Sequence, residues 1–427
     1  MLTSIHSFFL CICGAGIHSL FSVIIYFHGK ITLDNPIYLY YNINTVPRRP
    51  MRLARYIFIK RTDTMEEIQG TQMYCGVPVR PDKSEKKQIR KQYIRTGMVI
   101  LLNIFLFNIV LLGIAYLVGG IYAGDTSSPE AMKQGFAKLA ADYPALRVAI
   151  SCIIPIISET VAIIMGIKLL KIDLRKLFTF NGFTGGEVAR GVTESLGIQL
   201  AAGYIALGVG AILRIFNLET KLTSITVVES SLGVTFLLYF YACLLGPVLE
   251  EILYRGIILQ GLKTYNRRMA VFVSALVFGL MHQNYQQFIL GFLLGLLLGT
   301  LTINSGSLIP SAIIHIIVNT FASLLTVIMM YVDYDAFMQA QNGVTDMTGF
   351  STQFMILTVI TFLIRGALLL AAIVLLIIVI VKKRAVAKPS PAGKTRGWPM
   401  LAQSWVWYVI LALYLYLTFV EPMEFIK

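Results

Sequence analysis

Long apolar runs separated by short polar loops set the pattern of this chain. The runs lie at about 5–27, 98–123, 145–170, 193–216, 232–262, 270–282, 286–303, 308–331, 354–381 and 401–420. A helix needs ~20 apolar residues to cross a bilayer, and most of these runs reach that length. They are continuous rather than alternating, which excludes a transmembrane β-barrel. The pattern predicts an all-α fold: a polytopic transmembrane helix bundle of about eight core spans plus an N-terminal and a C-terminal span.

Charge placement supports that reading. Of 427 residues 56% are hydrophobic and only 14% charged, against ~25% charged in soluble domains. Lys and Arg exceed Asp and Glu by 36 to 22. The excess sits in loops, including Lys171, Arg175, Lys176 and Arg190, then Lys263, Arg267 and Arg268, then Lys382, Lys383 and Arg384. Asp333, Asp335 and Asp346 occupy a loop between two basic ones. The positive-inside rule then puts the basic loops in the cytoplasm. It also accounts for the net charge of +14 without a nucleic-acid partner. The lipid bilayer is the expected partner.

Three regions follow: 1–97, an N-terminal hydrophobic segment and basic cytoplasmic region; 98–381, the membrane-embedded domain; and 382–427, a basic Pro-containing linker with the last span. No basic residue precedes the 5–27 run, which favours an anchor over a cleaved signal peptide. The last span carries Trp405, Trp407, Tyr408, Tyr414 and Tyr416, residues that anchor helices at membrane interfaces. The five cysteines show neither metal nor disulfide spacing.

Seven ionisable residues fall inside apolar spans: Glu159, Glu250, Glu251, Arg255, His282, His315 and Arg365. Such groups are costly in hydrocarbon, roughly 2.5–3.5 kcal/mol each on insertion scales, and mark function more often than stability. Glu251 and Arg255 are i and i+4, spaced for an ion pair on one helical face. Glu250 is turned ~100° away and left free to take a proton. Counted from the basic loops, Glu250 and His282 both lie ~20 Å deep. His315 and Asn319 share a face and could both donate to a developing oxyanion. Phe278 shares a face with His282, to orient its ring or to pack. Pro247 removes a backbone hydrogen bond just before this turn and predicts a local kink or a widened cavity. Glu159 and Arg365 have no such company and receive no role.

The order Glu-Glu-x-x-x-Arg (Glu250, Glu251, Arg255), Phe-x-x-x-His (Phe278, His282) and His-x-x-x-Asn (His315, Asn319) resembles the CAAX prenyl protease type II and bacteriocin-processing family, also called the Abi family. Gly291-Phe-Leu-Leu-Gly-Leu-Leu-Leu-Gly299 and Gly306-Ser-Leu-Ile-Pro310 match its small-residue helix and the following turn. The resemblance implies an intramembrane endopeptidase of the glutamate type in a membrane read as that of a bacterial cell. Its substrate would be a membrane-associated peptide or protein. Glu250 with His282 would activate a water, His315 and Asn319 would hold the oxyanion, and Glu251, Arg255 and Phe278 would support them. No cofactor is expected. A zinc variant with His282, His315 and a Glu ranks lower, because no His-Glu-x-x-His helix is present. The alternative is a non-catalytic membrane scaffold or bacteriocin-immunity protein on the same fold.

Overall fold

The computed structural model describes residues 83–180, 182–216, 232–264, 266–341, 349–381 and 397–420, with strand segments at 73–74, 77–78, 218–220 and 423–425. The run at 5–27, most of the basic N-terminal region, the loops at 221–231 and 382–396, and Cys11, Cys13 and Cys75 lie outside the described residues. The chain divides into two compact units, residues 1–79 and 80–427. Within the first, Met73–Tyr74 pairs antiparallel with Val77–Pro78. The second is the helical bundle, in which Leu218–Thr220 pairs antiparallel with Met423–Phe425.

The bundle's helices are α1 (Lys83–Phe105), continued through a π-helical turn into α2 (Leu112–Ala123), α3 (Pro129–Asp142), α4 (Pro144–Leu170) and α5 (Gly185–Ile215). The motif segment follows as α6 (Leu232–Phe240), α7 (Gly246–Glu250) and α8 (Leu259–Leu262), joined by π-helical stretches at Tyr241–Leu245 and Glu251–Ile258. Then come α9 (Arg267–Leu280), α10 (Tyr285–Ser305), α11 (Ile309–Val332), α12 (Tyr334–Gln341), α13 (Thr352–Val381), α14 (Gly397–Ala402) and α15 (Val406–Leu415). Seven of the described helical stretches are long and apolar enough to cross a membrane. Their outward faces carry large apolar side chains such as Leu207, Phe236, Phe362 and Leu363. A water-soluble surface would not tolerate so many; a lipid-facing one requires them. The chain is an integral membrane protein.

Three sequence expectations change. The run at 270–282 is not a full span: α9 has 14 residues and is ~21 Å long, short of the ~30 Å hydrocarbon core. It stops because Gln283 adopts a left-handed conformation (φ 54°) and Asn284 caps the next helix through its side chain. The last run, 401–420, is broken at 403–405 into α14 and α15. The division at 97/98 falls inside α1, because the basic residues 83–95 and the apolar ones after them form one helix.

The main core joins distant parts of the chain. Tyr93 and Ile100 of α1, Ile257 and Ile258, Met269 and Phe278 of α9, and Val406, Ile410 and Tyr414 of α15 form one buried cluster. Trp407 Nε1 donates to the Tyr93 carbonyl at 3.2 Å, and Thr418 Oγ1 to the Leu280 carbonyl at 3.2 Å. One face of α15, carrying Val406, Trp407, Ile410 and Tyr414, is thus built into the bundle's core, while its other face stays exposed. Small residues let α9 and α10 approach closely. A Cβ on Gly279 would lie 2.8 Å from the Phe288 carbonyl oxygen and 2.8 Å from the Phe292 nitrogen. Such backbone proximity is how helices associate where no hydrophobic force drives them together.

Candidate active site

The motif segment owes its shape to Pro247. In the π-helical stretch before it, each N–H bonds five residues back, as Gly246 N–H does to the Tyr241 carbonyl. The next bond in that register would join residue 247 to the Ala242 carbonyl, and proline has no N–H to give. Asn319 Nδ2 on α11 donates to that carbonyl instead, at 3.1 Å. In place of the kink or widened cavity expected at Pro247, the backbone turn itself is widened, and a side chain of the last motif closes it. Wide turns of this kind are frequent at functional sites.

The second wide stretch, Glu251–Ile258, carries the first motif. Arg255 Nη1 stands 3.1 Å from Glu251 Oε1, and both side chains are 1% exposed. The contact is ionic rather than a directed hydrogen bond. The guanidinium carbon also lies 4.1 Å from the centre of the Phe278 ring. Arg255 is therefore held by a charge and by an aromatic face, the arrangement to which guanidinium is best suited.

His315 bridges the two carboxylates. Its Nδ1 is 3.0 Å from Glu251 Oε1 and its Nε2 is 3.6 Å from Glu250 Oε2. A carboxylate accepts, so Nδ1 carries the proton toward Glu251, and Nε2 is the atom presented to Glu250. Glu250 is more open than its neighbour: its side chain is 14% exposed, against 1% for Glu251.

His282 lies in the turn after α9, not on a helix as its spacing implied. Its Nδ1 donates to the Phe278 carbonyl at 3.0 Å, capping the last turn. A carbonyl only accepts, so the ring's free lone pair is on Nε2. Asn284 Nδ2 donates to the His282 carbonyl at 3.1 Å and so braces the turn. Phe278, 1% exposed, is the hub: its ring meets His282 edge-on at 5.4 Å and His315 at 5.7 Å. Its ring also meets that of Tyr254, at 5.3 Å between centres.

The structure thus brings Glu250, Glu251, Arg255, Phe278 and His315 into one connected group. His282 joins through Phe278. Asn319 joins through the backbone of the motif segment rather than through His315. One residue of the group had no role in sequence terms. Glu159, on α4, is 3% exposed, its Oε2 has no hydrogen-bond partner, and it lies within electrostatic reach of Glu250. Tyr241, in the first wide stretch, is likewise within electrostatic reach of Glu159 and Glu250. Depth was the available signal: Glu159 precedes Lys171 by twelve residues, ~18 Å, matching Glu250. Among the described residues, no group of three or more His, Cys, Asp or Glu side chains has metal-holding geometry.

A polytopic helix bundle with carboxylates and imidazoles gathered inside it defines an integral membrane protein with a buried ionisable centre. Residues 232–321 match the family model described as type II CAAX prenyl endopeptidase, Rce1-like, the family that the three motifs resemble. The matched stretch runs from α6 into α11 and includes every residue of the three motifs. At the level of the family this supports a CAAX-type intramembrane protease. No curated protein and no solved structure matches the chain.

Proposed function

We propose that this protein is an intramembrane endopeptidase that hydrolyses a peptide bond of a membrane-associated peptide or protein. The observation that carries the reading is the contact of the partly open Glu250 carboxylate with His315 Nε2, beside a Glu251 already committed to Arg255. An ionised Glu250 takes a proton from a water that His282 Nε2 also holds, and the resulting hydroxide attacks the carbonyl carbon. Charge then develops on the carbonyl oxygen. The Asn319 amide has a second N–H beyond the one given to Ala242, and His315 in its imidazolium form has an Nε2–H; both serve as oxyanion donors. Glu250 returns its proton to the departing amine as the C–N bond breaks. No step in this scheme calls on a metal.

Comparative mass spectrometry of membrane peptides from cells with the wild-type and Glu250→Gln proteins tests it. The expected result is a cleavage product present with wild type and absent with Glu250→Gln and His282→Ala, while both variants insert and fold. An unchanged biological effect in Glu250→Gln cells, with no product in either, would sink the enzyme reading in favour of a scaffold or immunity protein.

A further inference from the structure

Arg365 stands mid-helix on α13, thirteen residues past its start and ~20 Å from that end, farther than a side chain can snorkel. Among the described residues it has no ion-pair or hydrogen-bond partner. This contrasts with Arg255, whose charge is met by Glu251. An arginine at that depth without a counter-ion is costly, and its usual justification is a ligand or a pathway.

Arg365 lines a cavity of about 590 Å³ between α5, α10, α11 and α13. That volume lies within the ~300–1,000 Å³ range of ligand sites. The lining is mostly apolar, with a few polar groups: Gln199 and Tyr204 on α5, Gln286 and Gln287 on α10, and Arg365 on α13. Phe321 of α11 completes the wall two residues beyond Asn319. The cavity also adjoins the His282 turn. Asn284 Nδ2, which donates to the His282 carbonyl, stands 2.9 Å from Gln287 Oε1.

The chemistry selects the ligand class. A guanidinium is a planar fork that pairs bidentately with a carboxylate. Carboxamides match the N–H and C=O groups of a peptide backbone, which an acyl chain lacks. A phospholipid keeps its phosphate at the headgroup level, whereas Arg365 lies near the middle of its helix.

We propose that this cavity is a substrate subsite that binds a carboxylate-bearing portion of the peptide, anchored on Arg365, next to the catalytic turn. The inference rests on the endopeptidase reading. The carboxylate is that of an acidic side chain or of a C-terminus.

Binding to full-length Glu250→Gln protein in nanodiscs separates this from catalysis. The probes are fluorescent acylated peptides of mixed sequence, made with and without Asp and Glu, each with a free or amidated C-terminus. Adding Arg365→Gln should weaken binding of carboxylate-bearing probes about tenfold or more and leave the neutral amidated probe unchanged. Adding Arg365→Lys should restore part of the affinity, as a point charge without the fork. Loss confined to free-terminus probes identifies the C-terminus; loss confined to Asp/Glu probes identifies a side chain. Binding of every probe that is the same with Arg365 intact and with Arg365→Gln added would overturn the subsite. So would an equal loss of the neutral probe, or displacement of every probe by phosphatidylglycerol alone, which would make the cavity a lipid site. A selective loss in Arg365→Gln with no proteolysis by the wild-type chain would instead keep the subsite and remove the endopeptidase reading.

Discussion

Asn319 donates to the carbonyl of Ala242 at the position where Pro247 cannot. One residue of the last motif therefore completes the backbone of the segment that carries the first. An unmet buried carbonyl costs about 1–3 kcal/mol; that of Ala242 is partly buried, so Asn319→Ala should lose about 1 kcal/mol of stability, at the low end of that range, as well as activity. Pro247→Ala restores an N–H that can reach Ala242. In that background Asn319→Ala should cost less stability, while activity stays low. Thermal unfolding of the two single variants and the double variant gives the coupling directly. Strict additivity would mean that the proline and the amide are unconnected.

Among the described residues Arg255 is the only Lys or Arg side chain in contact with Glu251, which also meets the imidazole of His315. Removing one partner of a buried pair strands the other and typically costs about 3–5 kcal/mol. Arg255→Met should therefore lower the unfolding midpoint sharply and reduce membrane-inserted protein. The double variant Glu251→Met, Arg255→Met should recover most of the stability and none of the activity. A double variant no more stable than Arg255→Met would remove the pair from the account.

Glu159 offers a different balance. Its Oε2 is buried without a partner, near another carboxyl, and no cation contacts it among the described residues. Burying a polar group unpaired is unfavourable, and a charged one more so. Glu159→Gln keeps the shape and removes the charge, so its unfolding midpoint should equal or exceed that of wild type. A marked fall would reveal a partner for which the carboxyl is needed.

The α9–α10 contact can be probed without touching an ionisable group. Gly279→Ala would drive a methyl against the backbone of Phe288 and Phe292, forcing apart the two helices that flank His282. Overpacking of this kind costs about 1–3 kcal/mol, and proteolysis should fall with it. Gly208→Ala on α5 is the control, since nothing lies within 4 Å of its added carbon and it does not line the cavity. Equal behaviour of the two variants in unfolding and cleavage assays would show that the α9–α10 approach is slack.

The scheme also places the reaction on side chains alone. Activity of the purified protein should survive prolonged exposure to a zinc chelator. Abolition by the chelator, with recovery on adding zinc back, would revive the zinc variant.

Much of this protein could be read before any coordinates. Apolar length alone identifies the membrane helices, because a bilayer leaves the backbone no other way to satisfy its hydrogen bonds than helices or closed barrels. The spacing of Glu251 and Arg255 already encodes their ion pair, a local contact set by helical geometry. Tertiary structure was needed wherever the partner is remote in the chain. The bridge of His315 to both carboxylates, the amide of Asn319 on Ala242 and the docking of Trp407 on Tyr93 are contacts between helices, and no periodicity within one helix contains them. The same holds for Glu159 and Arg365. Each looked isolated along the sequence, and only packing showed one within electrostatic reach of Glu250 and the other on a cavity. Helical periodicity says which residues share a face of one helix; which faces meet is settled by side-chain shape between helices, and that becomes visible only once they are packed.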